Sequence, residues 1–180
     1  MREDQLSSAA GHGVRAAAAT IWQAESAEHV ARARALFLEY AQWLKVDLCF
    51  QGFDAELAGL PGDYVPPRGR LLLAGANDSA FGCIALRPLD ASPSTGEVKR
   101  MYVQPAQRGQ GWARRLGEAM LAEARAIGYR ELKLDTLAWM TPARTLYSQL
   151  GFRECAPYYA NPLPDVVYMS LQLYRPEMRV

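Results

Sequence analysis

Between Val103 and Leu116 the chain reads VQPAQRGQGWARRL. A strand ends at Val103, a proline-containing loop follows, and Arg108, Gly109, Gln110, Gly111, Trp112 and Ala113 lead into a helix. Glycines at a helix start let backbone N–H groups approach an anion with no Cβ in the way, and the helix dipole adds roughly half a positive charge there. The chemistry that fits is phosphate or pyrophosphate binding. Arg114 and Arg115 fall in the first helical turn, where the dipole disfavours cations; a bound polyanion would offset that. A solvated arginine pair on a surface helix is the plain alternative. Two nucleotide patterns compete for the same glycines. GxxxxGK[ST] is absent, which removes a P-loop. A dinucleotide fingerprint would use Gly109 and Gly111 after a strand, with Asp135 ending the next strand roughly 20 residues on. It fails at the third glycine, where Arg114 would obstruct helix–strand packing. The upstream half also lacks the repeated βαβ units of that fold.

The elements that must hold this loop follow from periodicity and turn residues. A strand at about 18–23 precedes Ser26, an N-cap with Glu28 in the first turn. Val30, Ala33, Phe37, Tyr40 and Leu44 then recur at helical spacing. Residues 47–68 hold glycines and the Pro66-Pro67 pair, so they read as a loop with one short helix at about 54–60. Strands at 70–74 and 80–86 flank the turn-forming Gly75-Ala76-Asn77-Asp78, which points to a hairpin. A third strand covers 97–103. The helix after the glycines runs to Ile127, with Gly128 as its C-terminal stop. A strand follows at 131–136. Thr141 is the expected cap of a short helix with Pro142 at its first position, ending at Gly151. Strands at 152–156 and 166–173 close the chain, joined by PYYANPLPD.

Two segments together resemble the GNAT superfamily of acyl-CoA N-acyltransferases. Arg108 to Ala113 is similar to its R/Q-x-x-G-x-G/A signature, and Thr145-Leu-Tyr-Ser-Gln-Leu-Gly-Phe152 to its later LYxxLGF motif. The strand EVKRMYV before the signature resembles the family's central strand, and the likeness spans about 70–173. It implies a single-domain α/β (α+β) fold with a central mixed, mostly antiparallel sheet, splayed at its central strands and flanked by helices. It implies acetyl-CoA as acyl donor, its pyrophosphate cradled by amides from Arg108 to Arg114. Its pantetheine arm would pair with Met101, Tyr102 and Val103. Tyr147 would be the general acid at the thioester sulfur, and Glu97 would match a carboxylate that often serves as base. The acceptor would be a small-molecule or peptide amine, and homodimers are common among members. Where many members carry an asparagine at the start of the tyrosine helix, this chain has Met140. Nothing in the pattern accounts for the bulk of Trp112.

That chemistry suits these residue types. A lysine-type amine with a pKa of about 10.4 is protonated at neutral pH and must lose a proton before attack. A thiolate of pKa near 8.5 can take a proton from a tyrosine held close. No enzyme nucleophile is needed, so the lack of a Ser-His-Asp or Cys-His constellation is no objection. A binding module that senses acyl-CoA without transferring it is the alternative from another class.

Bulk properties agree with a small-molecule enzyme. The 180 residues fit one domain, with 1–16 as a frayed arm and 17–180 as the folded unit. A formal net charge of +1 gives no bulk pull toward nucleic acid or anionic membrane. Cys49, Cys83 and Cys155 are sparse and unpaired in pattern, as in a reducing compartment, and no metal site is expected from them or from His12 and His29. No apolar run reaches the roughly 20 residues of a membrane span, and the first residues lack a signal-peptide core, so a cytoplasmic setting is expected. Trp22, Trp43 and Trp139 read as packing residues. Tyr158 and Tyr159 either line the acceptor pocket or cover a sheet end. Asp47, Asp54 and Glu56 either attract an amine or are solvated loop carboxylates.

Overall fold

The computed structural model describes residues 18–46, 48, 52–76, 79–89 and 94–173. The expected arm at 1–16, together with Asp47 and Cys49, lies outside them. In chain order the elements are β1 (Thr20–Gln23), α1 (Ala27–Leu44), α2 (Phe53–Gly59), β2 (Arg70–Ala76), β3 (Ser79–Pro88) and β4 (Thr95–Val103). There follow α3 (Trp112–Ile127), β5 (Glu131–Leu137), α4 (Thr141–Gln149), β6 (Arg153–Glu154) and β7 (Val166–Gln172). They build one seven-stranded sheet in the order β1-β2-β3-β4-β5-β7-β6. Every neighbouring pair is antiparallel except β4 with β5.

Helix starts and stops follow local chemistry. Ser26 caps α1 by accepting the His29 N–H at 3.2 Å, one of the four donors an α-helix leaves unpaired at its start. Gly128 ends α3 at φ 97°, its N–H bonding back to Ala124 and Arg125, a backbone state that glycine adopts without a Cβ penalty. At α4 the structure departs from expectation: Met140, not Thr141, is the N-cap, and no side chain caps the helix. The Thr136 hydroxyl donates instead to the Met140 sulfur at 3.7 Å. The last short strand is also shorter than expected, because Phe152 turns into the core at 2% exposure and its N–H bonds to the Tyr147 carbonyl.

Two apolar clusters lie on opposite faces of the sheet. On one face Ile84, Val98, Leu132 and Leu134 pack under Leu116, Met120 and Tyr147 from α3 and α4. On the other, Leu71, Leu73, Ala85 and Tyr102 pack under Phe37 and Leu44 from α1 and Phe53 from α2. Gly117 on α3 lies against Leu150, the residue that ends α4: a Cβ there would fall 2.5 Å from Leu150 Cδ1, so that side chain must move to admit one. Gly117→Val is therefore expected to lower the unfolding midpoint by roughly 3–10 °C, the scale of an overpacked core. Thermal unfolding within about 1 °C of the parent would contradict this packing.

The sheet opens at its centre. β4 and β5 pair only through Thr95↔Glu131, Gly96↔Leu132 and Glu97↔Lys133, although β4 runs on to Val103 and β5 to Leu137. Beyond Glu97 the facing edges part, leaving main-chain groups that need other partners. A bulge in the β3–β4 ladder between Cys83 and Ala85 lies just beyond this point. There Arg100 takes φ 56°, uncommon for a residue with a Cβ.

Candidate active site at the sheet opening

A cavity of about 560 Å³ fills the opening. Its wall includes β4 from Val98 to Val103, the start of α3, Asp135 to Leu137 on β5, Tyr147 on α4, and the C-terminal half of α1. Of the residues expected to bind a cofactor, Met101, Tyr102, Val103, Arg108, Gly109, Gly111, Trp112, Ala113 and Arg114 all line it; Gln110 does not.

At one end stands the glycine loop. Gly109 and Gly111 have φ of 77° and 80°, and a Cβ on either would meet nothing within 4 Å. Gly111 is the N-cap of α3 and offers no side-chain cap. The first hydrogen bond of the helix is Arg115 N–H to the Gly111 carbonyl, so the preceding amides are left for an external acceptor. Arg108 is anchored beside them: its Nε donates to the Val103 carbonyl at 2.9 Å, and its guanidinium lies 4.7 Å from the Trp43 ring centroid. Arg114 is half exposed and pairs with Glu118 at 3.1 Å and Gln149 at 3.0 Å. Trp112 now has an account. It is 8% exposed and packs edge-on against Phe81 at 5.1 Å, seating the helix start on β3.

Tyr147 reaches the cavity from α4, 9% exposed, its ring T-stacked on Phe152 at 5.9 Å. Burial pushes its hydroxyl well above the usual tyrosine range, helped by Tyr40 and Asp135 nearby. This favours the neutral phenol, which carries the proton a general acid would give.

Glu97 is placed differently. It is 1% exposed and absent from the cavity wall. Its Oε2 accepts from Arg87 at 2.7 and 2.8 Å, and its Oε1 from Tyr158 at 3.1 Å with Lys99 at 3.4 Å. Burial alone would raise its carboxyl, but Lys99 and Arg87 outweigh that and hold it below the usual carboxylate range. Lys99 also reaches Asp135 at 3.5 Å.

The comparisons with known proteins agree with this geometry. The family model described as the acetyltransferase (GNAT) family matches residues 20–152. The chain belongs to the GNAT acetyltransferase family. An uncharacterised N-acetyltransferase of Schizosaccharomyces pombe is 40% identical over 139 residues, covering 77% of this chain and 85% of its own. Among solved structures, an acetyltransferase from Streptococcus agalactiae superposes with a TM-score of 0.72 at 22% identity, covering 86% of this chain and 98% of its own. The yncA protein of Salmonella typhimurium, solved with its cofactor acetyl-CoA, superposes with a TM-score of 0.64 at 23% identity, covering 87% and 94%.

Several residues of this acetyltransferase lie where the sequence did not put them. Trp43 and Trp139 are 37% and 55% exposed, stand 5.9 Å apart and both line the cavity, so they are mouth residues rather than buried packing. Tyr158 and Tyr159 are bound to the charge cluster instead: Tyr158 donates to Glu97, and Tyr159 hydrogen-bonds to Asp135. Glu56 is not a solvated loop carboxylate; it is 12% exposed and ion-paired to Arg100 at 2.5 Å. Asp135 and Lys99 were the unflagged members of the wall. The alternation in ELKLDTL and EVKRMYV could have found them, since it sets Lys133, Asp135, Glu97 and Lys99 on one face of adjacent strands. Among the described residues no group of His, Cys, Asp and Glu could hold a metal, and no helix is long and apolar enough to cross a membrane.

Proposed function

We propose that the chain transfers an acetyl group from acetyl-CoA to a primary amine by direct attack in a ternary complex. The observation that carries this is the parting of β4 from β5 beside an uncapped helix start, with Tyr147 on the wall between. Acetyl-CoA fits as donor substrate in three places. Its pyrophosphate would meet the Arg108 side chain and the amides from Gly109 to Arg114, and its pantetheine amides the open edge of β4 at Met101, Tyr102 and Val103. Its sulfur would lie at Tyr147. The acetyl-CoA in the Salmonella relative supports the same donor. Free thiols at Cys83 and Cys155 suit a reducing, cytoplasmic setting.

Tyr147 would donate its proton to the departing thiolate. Tyr147→Phe is expected to lower kcat by about 10²-fold, the usual scale for one general acid, with the acetyl-CoA Kd unchanged. Stopped-assay turnover beside calorimetry checks both, and unaltered turnover removes Tyr147 from the mechanism. A ternary complex also predicts intersecting double-reciprocal lines in initial-rate kinetics. Parallel lines would demand an acetyl-enzyme and overturn direct transfer.

A further inference from the structure

We propose that Asp135, on the amine side of the sheet opening, is the base that accepts the acceptor's proton, while Glu97 is a positioning residue that holds Lys99 beside it. This rests on the acetyltransfer reading. Asp135 and Tyr147 occupy opposite faces of the sheet. Leu132 and Leu134 pack in the cluster that contains Tyr147, so Lys133 and Asp135 point to the opposite face. Glu97 and Lys99 point there too, in contact with each other and, through Lys99, with Asp135. Transfer through the opening needs a proton donor where the sulfur leaves and a proton acceptor where the amine enters. Tyr147 and Asp135 are disposed on those two sides, and both line the cavity.

Glu97 cannot fill the second role. Both of its oxygens are committed to donors and it has no place on the wall. Asp135 is 15% exposed, within reach of Lys99 at 3.5 Å and the Tyr159 hydroxyl, and it opens on the cavity. The proton count closes. One ammonium proton passes to an Asp135 oxygen, and the freed lone pair forms the C–N bond. The C–S bond breaks and the thiolate takes the Tyr147 proton. The second proton lost from nitrogen restores Tyr147, and Asp135 returns its proton to water.

The groups that act on Asp135 are Lys99 and Glu97 on β4, Tyr158 and Tyr159 from the β6–β7 loop, Tyr168 on β7, Tyr40 on α1 and, from across the opening, Tyr147 on α4. All five tyrosines are pushed above their ordinary value, mainly by burial, Tyr40 to about 12. They therefore stay neutral across the test range. With an internal carboxylate base, ammonium and enzyme already hold the right number of protons, so kcat/KM for the amine should be flat between about pH 6.5 and 8.5. Asp135→Asn must wait for the free amine, and its kcat/KM should climb about tenfold per pH unit from a level roughly 10²-fold lower at pH 7. Acetyl-CoA Kd should stay at the parent value, and Asp135→Glu should keep the flat profile at reduced rate. The measurement uses an amine that the full chain turns over by thiol release. An Asp135→Asn profile identical to the parent, or a rising Asp135→Glu profile, overturns Asp135 as base while leaving acetyl transfer intact. A parent that binds acetyl-CoA but releases thiol with no amine overturns the transfer reading itself, and this one with it.

Discussion

Gly111→Asp is expected to weaken acetyl-CoA binding by about 10²- to 10³-fold while leaving the protein folded. Two effects of one side chain separate here. A side chain at φ 80° strains the backbone, but aspartate tolerates the left-handed region better than most residues. A Cβ meets nothing within 4 Å, so nothing must move to admit it. The new carboxylate at the first turn of α3 would stand against a pyrophosphate. Like charges about 4 Å apart at an effective dielectric near 20 repel by about 4 kcal/mol, or between 10² and 10³ in Kd. Calorimetry with acetyl-CoA and a thermal melt read the two effects apart. Normal binding by a folded Gly111→Asp would remove the helix start from the donor site.

The second large effect is on stability. Arg100→Ala is expected to cost about 3–5 kcal/mol, the scale for stripping one partner from a buried ion pair. The Arg100 guanidinium is 3% exposed and meets Glu56 through Nε at 3.0 Å and Nη2 at 2.5 Å, over the Phe53 ring at 5.0 Å. Tyr64 completes the group by donating to Glu56 at 2.7 Å. Without Arg100 the Glu56 carboxylate stays buried with the tyrosine alone. Replacing both, as Arg100→Met with Glu56→Leu, should recover part of the loss: the desolvation of both charges disappears together, while the buried Tyr64 hydroxyl loses its acceptor. Denaturant melts of the single and double variants decide this; a single variant within about 1 kcal/mol of the parent would contradict it. Because Arg100 sits at the bulge where β4 leaves β5, the single variant should also weaken catalysis beyond its effect on stability.

The same pair sets an acid limit. Burial alone would raise the Glu56 carboxyl, but the Arg100 hydrogen bonds and charge bring it below its ordinary value, and Glu97 is lowered likewise by Lys99 and Arg87. A depressed folded pKa contributes stability in full above the unfolded value near 4.3 and loses it as pH falls through the folded value. Unfolding free energy should therefore drop steeply below about pH 4, and Arg100→Ala should flatten that drop.

The regular elements could be read from the chain because each carries its own period. α3 and β5 fall within a residue or so of where Ala113 to Ile127 and Glu131 to Thr136 placed them. The glycine loop was equally legible, since a strand, two glycines and an amphipathic helix leave little else for the backbone amides to do. The charge cluster was not. Alternation sets Glu97 and Lys99 on one face, but does not tell that Arg87 and Tyr158 converge on Glu97 from two other elements. The bulge defeats alternation outright: Val98 and Val103, an odd number apart, share one core cluster, while Tyr102 joins the other. Trp43 and Trp139 misled for a related reason. Each fits an apolar pattern locally, and only the meeting of α1 with the β5–α4 connection sets them at the cavity mouth.

The most direct test is a thiol-release assay with the purified chain, acetyl-CoA and a panel of polyamines, amino acids, aminoglycosides and peptide N-termini. Products would be identified by mass spectrometry. An acetyltransferase built as described will release coenzyme A thiol in step with N-acetylation of at least one class of amine, and Gly111→Asp will not. Tight acetyl-CoA binding with no thiol released by any amine would contradict the account and leave a sensor of acyl-CoA in its place.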